Sequence, residues 1–188
     1  MRDLDIRGAG NILGGEQSGF ISEIGFEMYH KILDEAIREL KESDFGDLFP
    51  KDEHDNFVYD CQIDTDLEIL IPTSYVENIT ERLSLYKEID DIEEEEKLKL
   101  FESALIDRFG PIPIQVHELF NTIRLRWKSK ILGFEKIILK NNQLKAYFVS
   151  NQNSAFYKSD VFGAILQYVK HNPIHCKMKE EKGKLSLS

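Results

Sequence analysis

Cysteine is scarce in this chain: two among 188 residues, Cys61 and Cys176, and they form no C-x-x-C pair. That leaves neither a zinc site nor a disulfide framework, and it fits a reducing cytoplasm. No apolar run approaches the roughly 20 residues that cross a bilayer, and the opening Met1-Arg-Asp-Leu-Asp5 lacks the apolar core of a signal peptide. The expectation is a soluble cytoplasmic chain with no membrane contact. The phosphate-binding pattern G-x-x-x-x-G-K-[ST] does not occur, so nothing here cradles a nucleoside triphosphate unaided. Positive charge is also short: the net charge is −10, which argues against a freestanding nucleic-acid binder. His171 and His175 have the spacing of helical metal ligands, but Pro173 between them disfavours a continuous helix, so no metal site is expected. The remaining histidines and the cysteines make no nucleophile–base arrangement that sequence justifies.

What is present is enough for a core, with 41% apolar residues and 11% aromatics. The length suits one domain with an appendage, or two small ones. Charge is unevenly spread. Residues 1–43 sum to −4, residues 44–96 to −15 and residues 97–188 to +9. Such a split marks either an interaction surface or the solvated faces of ordinary helices, and both readings stay open.

Five of the eleven glycines fall between Arg2 and Phe20, where the backbone must turn tightly or approach something closely. Gly8 to Gly14 resembles a dinucleotide fingerprint with its third glycine one residue late, so no such site is expected. From Ile21 to about Glu42, the residues Ile21, Gly25, Met28, Tyr29, Ile32, Leu33, Ala36, Ile37 and Leu40 follow a helical period. Ser43 to Asn56 is polar and aperiodic and reads as a linker.

A new unit opens where Cys61, Ile63, Thr65, Leu67, Ile69 and Ile71 alternate with Gln62, Asp64, Asp66 and Glu68, predicting a strand with one acidic face. Ser74 and Glu77 predict a capping box for a helix with Val76, Ile79, Leu83 and Tyr86 on one face. Leu98, Phe101, Leu105 and Phe109 mark a second helix, stopped by Gly110 and Pro111, with Glu93 to Glu96 at its positive end. Pro113 opens a third, with Val116, Leu119, Phe120, Ile123 and Trp127 inward and Gly133 as its stop. Lys136 to Leu139 and Leu144 to Val149 flank Asn141-Asn142 as a hairpin. Ser159 caps a short helix with Val161, Ile165, Leu166 and Val169 inward. Ile174 to Met178 and Leu185 to Leu187 close the chain as a hairpin through Gly183. The order β-ααα-ββ-α-ββ predicts an α+β domain, a small mixed or antiparallel sheet with several packed helices, preceded by a Gly-rich turn and an amphipathic helix.

The run Met1-Arg-Asp-Leu-Asp-Ile-Arg-Gly-Ala-Gly-Asn-Ile-Leu-Gly-Gly-Glu-Gln-Ser-Gly19, followed by Ile24-Gly-Phe-Glu-Met-Tyr29, closely resembles the translocation motif of bacterial transcription-repair coupling factors. A shorter form belongs to the related branch-migration helicase. Tyr75-Val-Glu-Asn-Ile-Thr-Glu-Arg-Leu-Ser-Leu-Tyr-Lys-Glu-Ile89 and Leu105-Ile-Asp-Arg-Phe-Gly-Pro-Ile-Pro113 resemble the coupling factor's C-terminal domain, which that helicase lacks.

The resemblance implies three regions: 1–45, the end of a translocase module; 46–58, a linker; and 59–188, a C-terminal regulatory domain. It implies a large ATP-dependent translocase on double-stranded DNA that displaces stalled RNA polymerase and recruits the damage-recognition ATPase of excision repair. The family's coupling residues carry over to Arg7 and Gln17, with Arg2 a weaker candidate; such groups on a Gly-flexed segment can exchange hydrogen bonds between motor states. The alternative role for Arg7 and Gln17 is to satisfy backbone groups of the Gly-rich turn. ATP and Mg are expected in the parent motor, with no cofactor in this chain, which alone is not expected to be an enzyme. The last domain is implied to dock within the parent and autoinhibit recruitment of the repair ATPase. A chain opening inside the motif at Met1 favours a piece of that translocase. The other reading is a freestanding protein-interaction domain whose Gly-rich N-terminus is a structural loop.

Overall fold

The computed structural model describes Gly25, Phe26, Tyr29, residues 57–181 and residues 183–188. The Gly-rich turn, most of the helix expected over residues 21–42 and the expected linker up to Asn56 lie outside these residues. The rest follows the anticipated order: β1 Gln62–Thr65, α1 Ile79–Asp90, α2 Glu95–Phe109, α3 Ile114–Ile131, β2 Phe134–Lys140, β3 Gln143–Phe148, α4 Asp160–His171, β4 Met178–Glu181 and β5 Lys184–Leu187. A short 3-10 helix, Ala155–Lys158, precedes α4. The sheet runs β1-β2-β3-β5-β4. Its β1–β2 pair is parallel and the others antiparallel, so the fold is α+β with a mixed sheet.

β1 is much shorter than the alternation over residues 61–71 predicts. Its pairing with β2 ends at Thr65 opposite Leu139, and the Thr65 hydroxyl accepts the Leu67 N–H at 3.1 Å. That local bond turns the chain out of the ladder. Ile69 and Ile71 are still buried, Ile71 within the helical core, at positions the alternation cannot tell from strand.

α1 starts later than a cap at Ser74 would place it. Asn78 is the cap, its side-chain oxygen accepting the Glu81 N–H at 3.1 Å. The buried Arg82 guanidinium accounts for the delay, because it donates to the carbonyls of Val76, at 2.7 Å, and Glu77, at 3.1 Å. The buried stripe is Arg82, Leu85, Tyr86 and Ile89, rotated from the expected Ile79–Leu83–Tyr86 line. A buried arginine satisfied by carbonyls is invisible to a pattern of apolar letters.

The other turns use the expected residues. Gly110 (φ 85°) ends α2, Gly133 (φ 72°) follows α3, and Asn141 and Asn142 (φ 52° and 58°) make the tight turn between β2 and β3. The Ser159 hydroxyl accepts the Phe162 N–H at 3.2 Å and caps α4. Leu166 was expected inward but is 44% exposed, because α4 meets the sheet through Val161, Phe162 and Ile165. The closing hairpin starts at Met178 rather than Ile174, which is 86% exposed.

Two cores result. The helical core gathers Ile71, Val76, Tyr86, Leu98, Leu105 and Phe120 between α1, α2 and α3, together with Phe26. The second packs Phe57, Cys61, Phe134, Phe148, Phe156 and Phe162 between the sheet, the 3-10 helix and α4. Helix α3 belongs to both, with Val116 to Ile123 in the first and Leu125 in the second.

Candidate functional site

The coupling residues expected from sequence, Arg2, Arg7 and Gln17, lie outside the described residues. Within the described residues, a few buried or half-buried polar groups tie the elements together. Arg126 of α3 stands at the junction of the two cores. Its Nε donates to Asp60 Oδ1 at 2.5 Å and its Nη1 to Asp90 Oδ1 at 2.6 Å. Asp60 leads into β1 and Asp90 ends α1, so one guanidinium ties the sheet half to the helical half. Burial works against its charge, yet Coulombic attraction to Asp60 and the bonds to both carboxylates raise its pKa above the ordinary value. Next to it, Trp127 Nε1–H donates to Ile92 O at 3.0 Å.

A second clamp joins α2 to α3. Arg124 grips Glu95 with both ends of its fork, Nε to Oε2 at 2.9 Å and Nη2 to Oε1 at 2.8 Å. The hydrogen bond to Arg124 holds the Glu95 carboxyl below its usual range. Part of the Glu93 to Glu96 run thus has a structural task, at the positive end of α2.

The acidic face expected along residues 62–68 is also engaged within the chain. Asp64 pairs with Lys140 at 2.7 Å. Asp66 Oδ2 accepts the Asn141 N–H at 2.8 Å, and Gln115 donates to Glu68 at 3.2 Å. Asp64 and Asp66 fix the turn of the β2–β3 hairpin against the strand end, and Glu68 ties the chain after β1 to α3. By contrast, the strand register lines up Gln62, Lys136, Tyr147, Ser186 and Lys179 across the sheet, on the face away from the second core. Lys145 stands 5.0 Å above the Tyr147 ring.

Chemistry is confined by the same burial. Cys61 is buried, and desolvation pushes its thiol up to about 11, which suppresses the thiolate a nucleophile needs. Among the described residues no group of three or more His, Cys, Asp or Glu could hold a metal ion. His171 places Nδ1 2.7 Å from the Gln167 carbonyl, within its own helix. A depression of about 420 Å³ is lined by Asn78, Thr80, Glu81, Ser84, Glu88 and Arg108, with Arg108 paired to Glu81. No helix among the described residues is long and apolar enough to cross a membrane.

Sequence reading missed two residues that matter here. Arg126 falls between Ile123 and Trp127 on the inward side of α3, where a charged letter in an apolar stripe was the available signal. Phe26 lies one position beside the helical stripe assigned to residues 21–42, and it is buried at 3% exposure in the helical core.

Comparison with known proteins gives concordant results. Residues 65–159 match the TRCF domain. A transcription-repair-coupling factor of Staphylococcus haemolyticus is 30% identical over 97% of this chain and 16% of its own length. That of Bacillus subtilis is 36% identical over 67% of this chain and 10% of its own. The chain therefore spans only a small part of these relatives. Among solved structures, the crystal structure of the C-terminal domain of a transcription-repair coupling factor superposes with a TM-score of 0.57. It shares 17% identity and covers 68% of this chain and 77% of that one, a likeness of fold.

Proposed function

The chain belongs to the TRCF domain family of transcription-repair-coupling factors, and from that premise we propose that it is the coupling and regulatory end of an ATP-driven DNA translocase. The observation that carries this reading is the match of residues 65–159 to the TRCF domain. Residues 1–45 supply the end of the motor module, where Arg2, Arg7 and Gln17 pass the motor's movement to the DNA. Residues 46–58 are the linker, whose last residues, Phe57 and Val58, already pack in the second core. Residues 59–188 dock within the parent and mask the surface that recruits the damage-recognition ATPase until the motor engages stalled RNA polymerase. The sequence lacks a phosphate loop, which supports assigning ATP and Mg to another part of the parent. Both belong to the parent motor, and the site of work is a bacterial cytoplasm.

Arg7→Ala or Gln17→Ala in the parent tests the coupling role. Losing a charge-assisted hydrogen bond made only in the stepping state costs about 1.5–3 kcal/mol, so displacement of polymerase should slow by about tenfold or more. Nucleotide binding should be retained. Normal displacement by both variants would return Arg7 and Gln17 to a structural role in the Gly-rich turn.

A further inference from the structure

Phe26 is 3% exposed and lies in the same core as Ile71, Tyr86 and Leu98, although residues 30–56 separate it in sequence from the rest of the domain. Its ring meets Tyr86 with centroids 5.9 Å apart, and Tyr29 meets the other reach of that ring at 6.0 Å. The Phe26 N–H donates to the Ile69 carbonyl at 3.3 Å, while the Tyr29 N–H closes a helical bond to Gly25 O at 3.1 Å. The turn lies against the chain after β1: a Cβ on Gly25 would make ordinary contact with Ile69 O at 3.6 Å. The receiving side is prearranged: the Ile71 N–H donates to the Tyr86 hydroxyl at 2.8 Å, fixing the ring against which both aromatics rest.

We propose that Gly25-Phe26-x-x-Tyr29 is a docking element and that Ile69, Ile71 and Tyr86 form its receptor site on the C-terminal domain. The ligand class is a short helical segment carrying a buried Phe and a Tyr one turn later, supplied here by the chain itself. Two features favour this over ordinary core packing. The element reaches the site from a segment with its own amphipathic stripe, and its seat is the irregular stretch after β1 that the sheet leaves behind. An aromatic anchor in a desolvated pocket is the kind of contact that dominates binding energy. The tether raises its effective concentration to about the millimolar range, so a modest intrinsic affinity keeps the site filled. The consequence rests on the reading of residues 1–45 as the end of the motor module: the docked turn links the position of the coupling segment to that of the C-terminal domain. When the motor draws the segment away, the domain loses its hold and exposes Tyr86 and Ile71.

The experiment uses the full chain with a specific protease site inserted between Asp47 and Leu48, cleaved after folding and passed over a sizing column at low micromolar concentration. The two pieces should elute together, and Phe26→Ala should weaken their association by about a hundredfold or more, so that they separate. Separation of the unsubstituted pieces, or equal co-elution of the Phe26→Ala pieces, overturns the proposal. Because Phe26→Ala also removes a core residue, hydrogen exchange on the unsubstituted, uncleaved chain gives a second measurement. The Phe26 amide should be protected by its bond to Ile69, and exchange at the rate of a free peptide overturns the proposal equally. Neither measurement involves the motor. A failed coupling role for Arg7 and Gln17 would leave both results unchanged.

Discussion

In the helical half, three helices close on one another and fully bury Tyr86, Ile89, Leu98, Leu119 and Phe120. In the sheet half, the cover is thinner: α4 contributes no fully buried residue, and the weight falls on a knot of rings. Phe156 is its centre, with Phe57, Phe148, Tyr157 and Phe162 at 5.3–5.8 Å between centroids. The helical half spreads its burial over three helices, whereas the sheet half centres its ring contacts on Phe156. The difference teaches where each half is vulnerable. Leu166, Tyr168 and Ile174 are exposed on and after α4.

The largest expected effect breaks the comparison at that centre. Phe156→Ala should cost about 3–5 kcal/mol by chemical denaturation, the range for truncating a buried ring. Gly133→Ala should act on the same spot from the backbone, because an added Cβ would lie 2.3 Å from the Phe156 ring at a φ of 72°. If both variants unfold like the parent chain, the ring cluster is not what holds the sheet half.

Arg126→Ala comes next and addresses the junction. It leaves Asp60 and Asp90 facing each other without their shared cation, at a cost of about 3 kcal/mol for breaking a buried pair. Since the two carboxylates belong to different halves, the loss should also uncouple them, turning one unfolding transition into two in calorimetry. A single, unshifted transition would show that α3 alone unites the cores.

The smallest effect on stability is at Cys61, whose environment is nevertheless sharply defined. Burial raises the folded thiol's pKa to about 11, above an unfolded value of roughly 8.5. Its contribution to stability is therefore fully present below about pH 8.5 and is lost as pH rises toward 11. At neutral pH an alkylating reagent should modify the half-buried Cys176 and spare Cys61 until the chain is unfolded. Equal labelling rates would place Cys61 outside the second core.

Much of this was legible in the letters. Element order, the stops at Gly110 and Gly133, the Asn141-Asn142 turn and the cap at Ser159 all rest on local chemistry that a few residues decide. The failures share one physical cause, a tertiary contact overriding a local pattern. Thr65 and the end of the β1–β2 ladder cut the strand short, although Leu67 to Ile71 keep alternating. Arg82 turns α1 about its axis by satisfying two carbonyls that no hydropathy pattern records. Phe26 is buried by residues more than forty positions away. The family was readable from the motif and from residues 75–113, whereas Arg126 and the receptor site for Phe26 needed coordinates.

The central claim is that residues 59–188 act by contact, holding the parent's repair-recruitment surface closed. The most direct measurement compares the affinity of the damage-recognition ATPase for the full parent and for a parent lacking residues 59–188. With the tether keeping the domain's effective concentration near millimolar, even a weak interface stays mostly shut, so truncation should strengthen binding by at least tenfold. Moderate salt should narrow the gap, because polar contacts between exposed charges are screened over about 8–10 Å. Equal affinity for the two proteins at low salt would contradict the account and mean that this domain masks nothing.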